Sequence, residues 1–337
     1  MLVASHRARV LQQSEPEMRM ATWVEDIFPA LRRTLNDDEG PVSDAKMAAA
    51  IMLTSLEIIS PAAFGFDIPW QRHLATARSL MAKRAQPMTA YGLPPGDTAV
   101  ASFLCSWLAY LIVMGSLSGG MAGESYDCED DEPQLPILPG IYQDPDEIDC
   151  IMGFSLRCLG LLFQVASLIR RFEGQHPLDT TQDVGQDAAR LDQDLRTSML
   201  RPVHPCRHVR PEVLASDDLD EMAAINESFH LAGLIHLHRR ALGKTASHPD
   251  VAVLVGRILL CLGRVRPGQS AEAAMLFPMF TAGCDVPDDA RRGQVLERFR
   301  SVEASGMIHV RRARRLMEKS WVLGRPWETL ITTEFIG

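Results

Sequence analysis

The sequence predicts an all-α protein, an irregular multi-helix bundle of roughly ten to twelve helices, and three observations carry that reading. Apolar residues recur at three- and four-residue spacing through most of the chain. Alternating strand-like runs joined by hairpin turns are hard to find. One stretch, Ala99 to Leu117, "AVASFLCSWLAYLIVMGSL", has no charge over 19 residues, the pattern of a helix enclosed by other helices. No repeat of fixed period is visible, which excludes a regular solenoid.

The first helix opens on a capping box in "SEPE", where Ser14 accepts from an amide of the first turn and Glu17 reaches back. Pro16 fits that turn, and Trp23, Ile27, Leu31 and Leu35 form one stripe that Pro29 bends. The second helix starts at Ser43 and stops before Pro61, with Met47, Ile51, Thr54 and Ile58 inward. The third carries "WQRHLATARSLM", with Trp70, Leu74, Ala77 and Met81 on one face and His73 and Arg78 off it. In the uncharged helix Phe103, Trp107 and Tyr110 share a face, while Ala101, Cys105, Leu108 and Ile112 supply the others. Its length would cross a bilayer, but no Lys or Arg anchors either end, so it reads as a core helix buried on all sides.

Residues 119–146 are rich in Gly, Pro and acids and read as a long solvated loop, the best internal boundary. It separates an N-terminal helical part, 1–118, from a C-terminal helical part, 147–337, of the same domain. A buried helix then begins at Ile148, with Met152, Ser155, Leu159, Leu162, Ala166 and Ile169 on its face. An amphipathic helix over 179–200 follows, then a break in "RPVHPCRHVRPEV". Ser216 reads as the cap of a helix that Gly243 stops. Three or four helices fill the remainder, one capped by Ser270 and running through Met275 and Phe277. Pro278 then lies in its interior, frees the carbonyl of Ala274 and bends it, and Gly283 allows a left-handed exit or a close backbone approach.

Composition bounds the function. The 337 residues are 46% hydrophobic and 23% charged, as in a globular protein. The net charge of −9 gives the body of the chain no general attraction for nucleic acid. The N-terminus lacks the apolar core of a signal peptide. Seven dispersed cysteines with no Cys-x-x-Cys pair suit a reducing compartment better than a disulfide framework.

The candidate chemistry is thin. Cys284 follows Gly283 at a helix C-terminus and precedes Asp285, which both disfavour a thiolate, so a structural role is expected and a catalytic one is not. "HPCRH" offers His204, Cys206 and His208 as ligand types, but no matching second pair is evident and no metal site is expected. His236 and His238 point to different faces of one helix and read as partly exposed. "NDDEGPVSD" and "CEDDEPQ" do not place an acid where a D-D-x-x-D magnesium site needs it. Neither G-x-S-x-G, a P-loop nor G-x-G-x-x-G occurs. Arg311, Arg312, Arg314 and Arg315 form the densest basic run, read as a solvated helix face.

Six blocks, in order, carry a resemblance: "MAAAIMLTSLEI" with "WQRHLATARSLM", "FLCSWLAYLIVMGSLSG", "IDCIMGFSLRCLGLLFQVASLI", "ESFHLAGLIHLHRRAL" with "PDVAVLVGRILLCLGRV", "MLFPMFTAGCDVPDDARR", and "MEKSWVLGRPWETL". Together they resemble the C-terminal regulatory region of fungal zinc binuclear cluster transcription factors, in the branch typified by regulators of arginine catabolism. The resemblance makes Trp70, Leu74, Trp107, Tyr110, Pro278, Gly283, Cys284 and Trp321 its structural signature. It implies a nuclear, non-enzymatic regulator of a metabolic gene set, in secondary or nitrogen metabolism. Such a regulator acts through proteins of the transcription machinery, a homodimer, or a small-molecule effector between helices. Members usually carry an N-terminal six-cysteine module holding two zinc ions; here no cysteine precedes Cys105. Direct DNA binding is therefore not expected of this chain, nor are a cofactor or a membrane. The alternative is a helical enzyme or a scaffold protein of a fungal biosynthetic pathway.

Overall fold

A computed structural model describes residue 11 and residues 42–60, 69–85, 98–119, 144–173, 181–209 and 214–337. The expected first helix, both acidic strings apart from the end of the first, and most of the 119–146 loop lie outside the described residues. Eleven α-helices occur among those described: α1 (Asp44–Ile59), α2 (Trp70–Ala85), α3 (Thr98–Ser118), α4 (Leu156–Glu173), α5 (Thr181–Met199), α6 (Ser216–His236), α7 (Pro249–Arg264), α8 (Ser270–Ala274), α9 (Leu276–Cys284), α10 (Asp289–Glu303) and α11 (Ile308–Leu323). A π-helical turn, Leu237–Ala241, prolongs α6, and a 3₁₀ turn spans Trp327–Thr329. Two short strands, β1 (Glu147–Ile148) and β2 (His204–Pro205), pair in parallel, with Glu147 opposite His204. The protein is all-α, an irregular multi-helix bundle.

α1 starts where expected, with Ser43 accepting the Lys46 amide at 3.3 Å, and it buries Met47, Ile51, Thr54 and Ile58. α2 likewise buries Trp70, Leu74, Ala77 and Met81. α3 differs from the expected helix enclosed on every side. Leu104, Leu108, Leu111 and Ile112 are buried, but Phe103 is 47% exposed and Trp107 and Tyr110 are only half-buried. The aromatic face thus runs from solvent at Phe103 to the edge of the core, where Trp107 and Tyr110 pack and Tyr110 meets Phe154.

The helix expected from Ile148 begins only at Leu156. The preceding residues fold as a turn in which the Asp149 carboxylate accepts the amides of Ile151 (2.8 Å) and Met152 (3.1 Å) and, through its other oxygen, the Ser106 hydroxyl (2.9 Å). Gly153 follows at φ +77° and Ser155 accepts the Cys158 amide at 3.3 Å. Asp, Gly and Ser divert the backbone from a helix that the apolar spacing alone would continue. Farther on, Ser216 is the first residue of α6 and not its cap; Asp218 accepts the Ala215 amide at 3.0 Å. Gly243, at φ +62°, stands just beyond the end of the π turn.

The proline in "MLFPMF" breaks the chain instead of bending one helix. α8 ends at Ala274 and α9 begins at Leu276, which leaves Pro278 in the first turn of α9, where no amide donor is required. Ser270 does not cap α8; Gln269 holds that position without a side-chain bond. The break falls at the Ala274 carbonyl that the proline ring would strike.

One continuous core runs from Met47 on α1 to Ile336 near the C-terminus, so helices on both sides of the acidic stretch contribute to it. Its axis is aromatic: Phe154 stacks on Phe229 at 4.0 Å, Phe229 on Phe277 at 5.9 Å, Phe277 on His236 at 5.1 Å, and Trp327 meets His236 and Phe280 edge-on. The C-terminal segment closes over α2 and α3. Trp70 donates to the Thr333 carbonyl at 3.0 Å and meets Phe335 edge-on, and the Ile336 amide donates to the Ser118 hydroxyl at 3.1 Å.

Candidate functional site

A buried polar cluster sits where α6 gives way to the π turn. A π turn shifts the phase of the following side chains, and here it turns His238, Arg239 and Arg240 toward three different partners. Arg240 donates to the carbonyls of Leu117 (2.8 Å) and Gly119 (2.7 Å) and pairs with Glu173 at 3.0 Å. It therefore caps the C-terminus of α3, where unpaired carbonyls gather partial negative charge. Arg239 pairs with Asp285 at 3.0 Å, and His238 with Asp192 at 2.7 Å.

Beneath Trp327 this network encloses a cleft lined by His236, Arg239, Thr281, Asp285 and Glu328, with room for about one water. Burial pushes the Asp285 carboxyl up to about 6, with Glu328 adding to the rise and Arg239 opposing it. Burial likewise raises Glu328, whose Oε2 has no hydrogen-bond partner. His236 is held well below its ordinary value by burial and then by Arg240 and Arg239, so it is neutral. It bonds Thr281 at 3.1 Å through Nε2, while Nδ1 is unpartnered. A neutral imidazole beside two carboxyls of raised pKa can hold a proton or a water. Space is lacking for a larger ligand in this conformation.

The sequence placed His236 and His238 partly in solvent, yet both are buried, 2% and 3% exposed. The last two turns of α6, Ser228 to His236, are buried on every face, so no face of that stretch signals water. Arg239, Arg240, Trp327 and Glu328 were not singled out either, and Asp285 was noted only as a neighbour of Cys284. Their one signal was the Arg-Arg pair after a buried helix.

The signature residues do not converge on this cleft. Trp70 and Leu74 lie against Gly115, Trp70 also meets the C-terminal segment, and Trp107 and Tyr110 are half-buried at the core's edge. Gly283 and Trp321 meet at the seam of α9 with α11, Pro278 is buried in the first turn of α9, and Cys284 is its last residue. Burial, then Asp285 and Glu328, hold the Cys284 thiol well above its ordinary value, and it bonds no histidine among the described residues. His204 turns toward Asp144 at 3.0 Å. Arg314 is engaged by Glu303 and Glu318, whereas Arg311 and Arg315 face solvent.

The cluster ties α6, α3, α4, α5 and the segment after α9 together within the helical bundle. A family model described as the fungal specific transcription factor domain matches residues 4–326. No curated protein and no solved structure matches. With an all-α bundle and a match over nearly its whole length, this chain belongs to the fungal-specific transcription factor domain family.

Proposed function

We propose that the chain is the regulatory part of a nuclear fungal transcription regulator, that it acts by protein contact and not by catalysis, and that it controls a metabolic gene set. Family membership carries the reading. DNA recognition is assigned to a separate six-cysteine module, since the net charge of −9 disfavours contact by this body.

A local exception to that charge supplies the contact surface. Arg312, Arg315 and Lys319 of α11, with Leu316, Thr333 and Glu334, line an open groove. Glu334 is occupied by the amides of Thr332 (2.7 Å) and Thr333 (3.1 Å), and the three cations form no ion pair among the described residues. Such a strip suits an acidic segment of the transcription machinery. A small effector would act at the π-turn cleft only if the Trp327–Thr329 turn moved, because the cleft admits a single water.

The test fuses the full chain to an unrelated DNA-binding domain in a fungal reporter strain. Reporter output should change several-fold, and a triple charge reversal of Arg312, Arg315 and Lys319 to Glu should abolish the change without lowering Tm. A nuclear, folded fusion that leaves the reporter unchanged would refute the proposal.

A further inference from the structure

We propose that Cys150, Cys206 and His208 form a zinc site that fastens the β1–β2 clasp. Cys206 and His208 stood in the sequence without a matching pair, and the parallel register of β1 with β2 delivers the missing ligand from 58 positions away. The three ligand atoms all lie within 4.8 Å of one another, and Cys150 Sγ is 3.7 Å from His208 Nδ1. A tetrahedral zinc with ordinary bond lengths separates its sulfur and nitrogen ligands by about 3.5 Å and two sulfurs by about 3.8 Å. The observed spacing therefore needs no rearrangement of the backbone.

Both limbs of the site are held independently of any ion. Cys150 follows Asp149, whose carboxylate is tied to Ser106 and to the turn amides. Cys206 is buried at the end of β2, accepts the Val209 amide at 3.0 Å through its carbonyl, and is followed by Arg207, whose amide donates to Glu147 at 3.4 Å. Cys150 and His208 are exposed, so an ion can enter and a water can complete the shell. Two thiolates and an imidazole select zinc over magnesium or calcium.

On binding, both thiol S–H bonds break, two Zn–S bonds and one Zn–N bond form, and two protons pass to solvent. The two thiolates balance the charge of the ion. Because the unfolded chain holds no such constellation, the binding free energy adds to stability and reinforces two loops otherwise joined by a two-residue ladder and exposed polar contacts such as His204–Asp144. The inference rests on these three side chains and is independent of the regulatory reading.

The test uses the full chain, purified under reducing conditions and stripped with chelator, then titrated with zinc or cobalt(II) alone. One ion per chain is expected, with cobalt giving thiolate charge-transfer absorption and the intense visible bands of a tetrahedral site, and zinc raising Tm. Cys150→Ser and His208→Asn, both at exposed positions, should keep the helical circular dichroism while weakening binding by at least about tenfold. Cys284→Ser should bind as the parent does. Failure of the reduced, folded chain to take up metal at low micromolar zinc would overturn the proposal. So would unaltered cobalt spectra in both ligand variants, or a Cys150–Cys206 disulfide whose reduced form binds no zinc.

Discussion

The indole Nε1 of Trp321 donates to the carbonyl oxygen of Gly283 at 3.0 Å, which joins α11 to the last turn of α9. The contact exists because residue 283 has no side chain. A Cβ there would lie 2.4 Å from Met317 Sδ and 3.0 Å from Val295 Cγ1. Arg292 covers the outer face of the indole, 5.1 Å from its centroid. Of the conformations the sequence allowed for Gly283, the structure uses close approach and not a left-handed exit. Gly283→Ala should cost about 1–3 kcal/mol through overpacking, and Trp321→Phe about 1 kcal/mol through the lost donor, both read as shifts in chemical denaturation midpoint.

Arg240 should be the costlier position. Its guanidinium is 5% exposed and satisfies Glu173 together with two backbone carbonyls at the end of α3. Truncating it to Ala leaves all three acceptors short of a partner, and a loss of about 3 kcal/mol is expected in urea unfolding. A loss within about 0.5 kcal/mol would mean that water replaces the arginine and that the π turn is not held through it.

These two positions show what the sequence could and could not convey. α1 was legible to within a residue or two at both ends, because spacing and caps agree there, whereas α2 runs on from its stripe, past Met81 to Ala85. The segment from Ile148 to Ser155 was misread because its apolar residues keep a helical period while Asp149, Gly153 and Ser155 impose a turn; local hydrogen bonding won. The break at Met275 was missed because a proline three residues into a helix and one deep inside it look alike until the start is known. The cluster of Arg239, Arg240, Asp285 and Glu328, like that of Cys150 with Cys206 and His208, depends on tertiary pairing that no local pattern encodes.

Acidification should destabilise the protein through its buried histidines. His230 and His309 are pushed down to about 4, both chiefly by burial, and His309 Nδ1 has no partner. A histidine depressed in the folded state contributes stability that is present above its unfolded value near 6.5 and is lost as pH falls toward 4, because the unfolded chain takes up the proton first. Each should contribute on the order of 3 kcal/mol across that window. Asp285 acts in the opposite sense: its carboxyl, raised to about 6, favours the folded state when protonated, and that contribution is lost as pH rises from about 4 through 6. Unfolding free energies at pH 7 and pH 5 should therefore differ less in His309→Leu than in the parent. An identical pH slope would remove His309 from the account.

The last prediction concerns α3, the one helix among the described residues long and apolar enough to cross a membrane by length and composition. It is expected to be a core helix. Leu108 is fully buried between its neighbours, whereas Phe103, five residues earlier and on another face, is 47% exposed. In a soluble bundle the two positions must respond oppositely to charge. Leu108→Asp would bury an unpaired carboxylate, a cost of several kcal/mol against a total stability of only about 5–15 kcal/mol, and should yield aggregated protein. Phe103→Lys would place an ammonium in water and should change stability by no more than about 0.5 kcal/mol. A bilayer reverses the second outcome, because the lipid-facing position is then the one that cannot carry a charge. Soluble expression of Phe103→Lys, with the parent protein in the supernatant after alkaline extraction, would establish the core role. Retention of the parent in the membrane pellet, with Phe103→Lys failing to insert, would instead make α3 an anchor and displace the nuclear reading.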